Sequence, residues 1–88
     1  MRPIQTTKAF GAAVHRARKD RGMSQTELAV KVGVGRPWLS ELETGKRTAE
    51  LGRALSVLSA LDLAITFVPM PDAGSRGIDL GQILGEDA

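Results

Sequence analysis

The sequence contains no cysteine and no tyrosine, and its 88 residues include one tryptophan, two phenylalanines and one histidine. Without cysteine, neither a disulfide framework nor a thiolate metal site can stabilise a small fold. The lone His15 is expected on a helix surface, and Glu41 and Glu43, two apart, point to different faces of a helix. No glycine-rich phosphate loop is present, and Gly33-Val34-Gly35 is too short, and not preceded by a strand, to be a dinucleotide fingerprint. Neither catalysis nor a cofactor or metal is therefore expected. No run reaches the ~18 to 20 apolar residues of a membrane-spanning helix, and Met1-Arg-Pro-Ile-Gln5 has no apolar stretch like that of a secretory signal. A cytoplasmic chain with no membrane partner is expected.

What is present is a charge asymmetry. Residues 1–53 hold eleven Lys/Arg against five Asp/Glu, a balance of +6, and residues 54–88 hold one against five, a balance of −4. A basic front suits a polyanion, and an acidic rear suits something else. The length allows one domain with a modest core, and such chains often complete their burial by pairing with a second copy.

Residues 1–6 read as an arm. Thr7 can cap a first helix to about Arg21, with Phe10, Ala13, Val14 and Ala17 inward and His15, Arg16, Arg18 and Lys19 outward. Ser24 and Glu27 have capping-box spacing and open a short second helix with Leu28, Ala29 and Val32 as its stripe, ended by Gly33. A third helix begins after Gly35, tolerates Pro37 in its first turn, turns Leu39 and Leu42 inward and stops at Gly45. Thr48 can cap a fourth helix to about Leu63, with Leu51, Ala54, Leu55, Leu58 and Leu61 inward and Val57 and Leu63 widening the stripe. Residues 64–68 are β-prone and stopped by Pro69; a lone strand must pair, and no second strand is evident, so the same strand of another copy is the expected partner across Ile65, Thr66, Phe67 and Val68. The other reading of these residues is coil that extends the core. Residues 69–88 read as a flexible acidic tail, in which Ile78, Leu80, Ile83 and Leu84 could form an apolar face on binding. The expected organisation is thus an arm (1–6), an all-α four-helix domain (7–63), a dimerisation strand (64–68) and a tail (69–88).

Two short helices separated by Gly33-Val34-Gly35 have the spacing of a helix-turn-helix unit, whose second helix enters the major groove of double-stranded DNA. With Leu39 and Leu42 inward, the ~100° rotation per residue of an α-helix turns Pro37, Glu41 and Thr44 outward, with Ser40 close by. Arg36, at the N-terminal tip, can reach a guanine edge or a phosphate, and Pro37 a thymine methyl. Glu41 should accept from a cytosine amino group or hold Arg36 in place. Trp38 either packs over helix four or lies on the DNA backbone, and a mixture is expected. Ser24, Gln25 and Thr26 open helix two, where free amides attract phosphate; Gln25 leads, with a second bond that could brace helix three. Lys46 and Arg47 follow helix three and would meet flanking phosphates.

The stretches Met23-Ser-Gln-Thr-Glu-Leu-Ala29, Val32-Gly-Val34 and Leu39-Ser-Glu-Leu-Glu-Thr-Gly45 resemble the lambda-repressor-like (Xre/Cro) helix-turn-helix family over roughly residues 10–63. Gly35 departs from the Ser or Thr common at that cap. The segment Trp38-Leu-Ser-Glu-Leu-Glu43, four helices and then a β-prone stretch also resemble HipB-type antitoxins. That resemblance implies a homodimer joined by its strands, bound to a pseudo-palindromic operator, repressing its own operon and neutralising a HipA-type serine/threonine kinase toxin. The alternative is a stand-alone Xre-family regulator without a toxin partner.

Overall fold

The computed structural model describes residues 2–70. Four helices follow one another: α1 (Thr7–Asp20), α2 (Gln25–Val32), α3 (Arg36–Glu43) and α4 (Leu51–Ala60). This is the all-α, four-helix arrangement expected from the spacing of its stripes. The principal contacts join α1 to α3, and α2 to both α3 and α4. Val14, Leu28, Ala29, Leu39, Leu42, Val57, Leu58 and Leu61 form one core, with Phe10, Trp38 and others packed on its margin.

The ends of the helices are set by local chemistry. The Oγ1 of Thr6, not Thr7, accepts from the Ala9 amide at 3.0 Å, so the cap lies one residue earlier than expected. At α2 the capping box is complete: Ser24 Oγ accepts from the Glu27 amide at 3.0 Å and the Ser24 amide donates to Glu27 Oε1 at 2.8 Å. Those bonds, first from the backbone of Ser24, hold the Glu27 carboxyl below its ordinary range. Gly33 closes α2 with φ 86°, a left-handed conformation that costs a residue bearing a Cβ. Gly35 caps α3 through its backbone alone, with Pro37 in the first turn.

Three expectations are corrected. Helix α4 begins at Leu51 and ends at Ala60, with Glu50 as N-cap; Thr48 sits in the preceding turn. Its inner face is Ala54, Val57, Leu58 and Leu61, while Leu51, Leu55 and Leu63 are exposed. On α1 the buried set is Gly11, Val14 and Arg18, so Arg18 lies inside rather than on the solvent face.

After Leu61 the chain turns through Asp62, φ 58°, whose carboxylate meets Arg21 at 3.1 Å. Residues 63–70 take no regular secondary structure among the described residues. Ile65, Thr66, Phe67 and Val68 are all exposed, Phe67 at 95%. These residues neither pair with a strand of their own chain nor extend its core. The expected tail face of Ile78, Leu80, Ile83 and Leu84 lies outside the described residues.

Candidate nucleic-acid interface

The feature that organises the site is a buried ion pair. The Arg18 and Glu43 side chains are 7% and 2% exposed. Arg18 Nε donates to Glu43 Oε2 at 2.7 Å and Nη2 to Oε1 at 3.0 Å, a bidentate fork, while Nη1 donates to the Met23 carbonyl at 2.7 Å. Both ends of the pair are thereby satisfied, as burial of charge requires. Burial pushes the Glu43 carboxyl up, but the hydrogen bonds from Arg18, His15 and Gln25 outweigh that and hold it below the usual glutamate range. The bond to Glu43, more than offsetting burial, holds the Arg18 guanidinium above its ordinary value. Glu43 also stands at the last position of α3, where a negative charge opposes the helix dipole, so the cation beside it is doubly needed.

From this pair the arrangement extends outward. His15, whose side chain is 52% exposed, bonds Glu43 Oε1 through Nδ1 at 2.9 Å. Gln25 Nε2 donates to the same oxygen at 3.2 Å. The other end of the Gln25 amide, Oε1, accepts from Arg36 Nη1 at 2.9 Å. Gln25, the first residue of α2, thus braces the first residue of α3, as its expected second bond required. An open groove at this junction is lined by Arg18, Lys19, Ser24, Gln25, Thr26 and Arg36, among others.

The remaining candidates group around the outer face of α3. Pro37 and Glu41 are exposed and Ser40 is half-buried. Glu41 does not hold Arg36; it bonds Lys46 Nζ at 3.1 Å. The reason is geometric: the chain turns back after α3, and the Lys46 amide already donates to the Glu41 carbonyl at 3.0 Å, bringing the two side chains together. Trp38 is half-buried and packs against the core margin, the packing half of its two expected roles. Arg47 is exposed and makes no ion pair among the described residues. Ser24 and Thr26 are exposed at the start of α2, the Ser24 side chain being engaged by its cap. The structure therefore brings Ser24, Gln25, Thr26 and Arg36 to one junction. Lys46 and Arg47 lie beyond the far end of α3.

Sequence reasoning missed Arg18, Glu43 and His15 as parts of this arrangement. A signal was present: Glu43 falls four residues after Leu39, and Arg18 four after Val14, so two opposite charges sit in register with two buried residues. Among the described residues, no group of three or more His, Cys, Asp or Glu is placed to hold a metal ion. No described helix is long and apolar enough to cross a membrane.

A family model described as a helix-turn-helix domain matches residues 9–65. The chain is 42% identical over 62 residues to an uncharacterized HTH-type transcriptional regulator of Sinorhizobium fredii, covering 70% of this chain and 82% of that protein. It is 36% identical over 61 residues to the ImmF control region 10 kDa protein of Bacillus phage phi105, covering 66% and 67%. Among solved structures it is similar, with TM-score 0.73 and 24% identity, to a chain of a HipA-HipB-O2-O3 complex, covering 80% of this chain and 99% of that one. A HipB-O4 20mer complex gives the same TM-score at 25% identity, covering 78% and 97%. The chain belongs to the helix-turn-helix domain family as a transcriptional regulator of the HTH type.

Proposed function

We propose that this chain is a sequence-specific repressor that binds a pseudo-palindromic operator as a homodimer, and that it is the antitoxin of a type II toxin–antitoxin operon. In this reading it represses its own promoter in the cytoplasm and neutralises a HipA-type serine/threonine kinase toxin. The observation that carries the DNA-binding part is the bridge from Gln25 to Arg36, which joins the starts of α2 and α3 on the basic half of the chain. Two helix N-termini, an arginine and an amide there suit a phosphate flanked by a base edge. Arg36 would read the base and Gln25 the phosphate, with Ser24 and Thr26 beside it. Pro37, Ser40 and Glu41 would face the groove, the exposed edge of Trp38 its wall, and Lys46 and Arg47 the next phosphates. The antitoxin part is supported by the likeness to HipB, which is seen in a complex with HipA.

Arg36→Ala is expected to cost about 1–3 kcal/mol at the operator and to relax base preference at one position. Arg47→Ala is expected to weaken binding to all sequences alike and to reduce the salt slope by about 1. Arg47 is a cleaner test than Lys46, because Lys46→Ala would also release the Glu41 carboxylate. Competition gel shifts with operator and single-base variants read both effects.

Homodimerisation is supported by the unpaired apolar run at residues 65–68 and by the nearby exposed Leu63. Phe67→Asp is expected to shift the chain from dimer to monomer in sedimentation and to lower operator affinity, since one half-site then binds alone. An unchanged dimer would place the interface elsewhere.

Co-expression with the adjacent reading frame tests the toxin assignment. A stable complex in which kinase activity is suppressed is expected. A neighbour unlike a kinase, or one that does not co-purify, would leave the stand-alone regulator.

A further inference from the structure

Three helices meet at one carboxylate oxygen. Oε1 of Glu43 receives His15 Nδ1 and Arg18 Nη2 from α1 and Gln25 Nε2 from α2, at 2.9, 3.0 and 3.2 Å. The opposite end of the same Gln25 amide receives Arg36 Nη1. An unbroken line of side chains therefore runs from the buried last residue of α3, through the first residue of α2, to the exposed first residue of α3.

The line has a polarity. An ionised carboxylate only accepts hydrogen bonds, a guanidinium only donates, and a glutamine amide has one end of each kind. Glu43 can therefore engage only the Nε2 end of Gln25, which turns Oε1 outward toward Arg36. Were the amide reversed, Oε1 would face a carboxylate and Nε2 a guanidinium, two unfavourable contacts at once. Burial of Glu43 strengthens this selection, since the site holds little water to screen it.

We infer that Glu43, itself buried, is a positioning residue for base recognition: its charge fixes the orientation of the Gln25 amide and, through it, the guanidinium of Arg36. The inference rests on the proposed role of Arg36 as the base-reading residue. Arg18 shares the task by keeping the Glu43 carboxylate in place with its fork. His15 is the third donor to the same oxygen and the one that opens to solvent. A specificity contact held this way loses less side-chain freedom on binding than a free arginine would.

The test is a double-mutant cycle on base preference, measured with the full chain against operator DNA and its single-base variants. Arg36→Ala identifies the base pair read by Arg36; if preference survives everywhere, the underlying reading fails and takes this inference with it. Given that base pair, Glu43→Gln is expected to cut the preference there about 10-fold, as loss of one aligned contact would, with the salt slope unchanged. An amide at position 43 can satisfy either orientation of Gln25, so the inner of the two contacts that select its orientation is gone and only the exposed one to Arg36 remains. In a Gln25→Ala background the same change should do nothing further. Parental preference in folded Glu43→Gln, or an equal loss with and without Gln25, would overturn the inference.

Because Glu43→Gln disturbs a buried pair and could fail to fold, Gln25→Glu provides a second arm that leaves Arg18 and Glu43 intact. The new carboxylate would face that of Glu43, between Arg18 and His15 on one side and Arg36 on the other. Base preference should be lost at neutral pH and return as pH falls through the carboxylate range, measured against the parent at each pH. Preference kept or sharpened with no such pH profile would show that Glu43 does not govern position 25.

Discussion

Glu43→Ala is expected to cost about 3–5 kcal/mol of folding stability, the usual consequence of leaving one partner of a buried ion pair alone. Arg18 would keep its bond to the Met23 carbonyl but lose both bonds of its fork, in a place where its side chain is only 7% exposed. Urea denaturation followed by circular dichroism reads the loss. The double change Arg18→Met with Glu43→Leu is expected to be much milder than either single change, because no charge is then stranded. Acid offers the same test without mutation. The Glu43 carboxyl is held below its ordinary range in the fold, so its contribution is fully present above the unfolded value of about 4.3 and is lost as pH falls through the lower folded value. Parental protein should therefore weaken between roughly pH 5 and the lower folded value, and Glu43→Gln should show a shallower acid dependence.

The second large effect lies at Gly11. A Cβ there would overlap the Leu42 carbonyl oxygen and lie 2.8 Å from the carbonyl carbon and oxygen of Glu43. Those are backbone atoms at the end of α3, and α1 can approach α3 this closely only without a side chain. Alanine in a helix interior ordinarily gains about 1 kcal/mol over glycine. At Gly11 the overlap reverses the sign, and a net loss of about 3 kcal/mol is expected, the upper part of the usual overpacking range. Gly52→Ala is the control within the same molecule. Its Cβ would meet only Glu50 Oε1, at 3.4 Å, so a gain of about 0.5–1 kcal/mol is expected there. Thermal melts of the two variants should move in opposite directions.

Local features were the most legible in the sequence. The capping box of Ser24 and Glu27 and the left-handed stop at Gly33 involve neighbours within a few residues, so residue type and spacing determine them. The inward direction of Leu39 and Leu42 followed from helical period alone, and with it the exposure of Pro37 and Glu41. Helix α4 was harder because leucine occurs nearly all round it. The stripes 51, 54, 55, 58 and 54, 57, 58, 61 both fit a helix, and only packing against α2 selects the second. The start of α1 was ambiguous for a simpler reason: Thr6 and Thr7 are adjacent and either hydroxyl can cap. The partners of charged groups were least legible. Glu41 meets Lys46 because the loop after α3 folds back, and Arg18 meets Glu43 across 25 residues of chain. Such pairings depend on where helices dock, which composition does not encode. The residues placed at the DNA interface were read from register on α3, from the opening of α2 and from the loop after α3, and the structure adds the bond between Gln25 and Arg36 that ties two of them together.

The central claim is that the face carrying Gln25 and Arg36 reads DNA. Its most direct measurement is a salt titration of the full chain on its own promoter fragment and on an unrelated duplex of equal length. The claim predicts tighter binding to the promoter throughout, with log affinity falling against log salt at about −0.9 for each phosphate neutralised, and loss of the promoter's advantage in Arg36→Ala. Equal affinity for both duplexes, or an advantage untouched by Arg36→Ala, would contradict it.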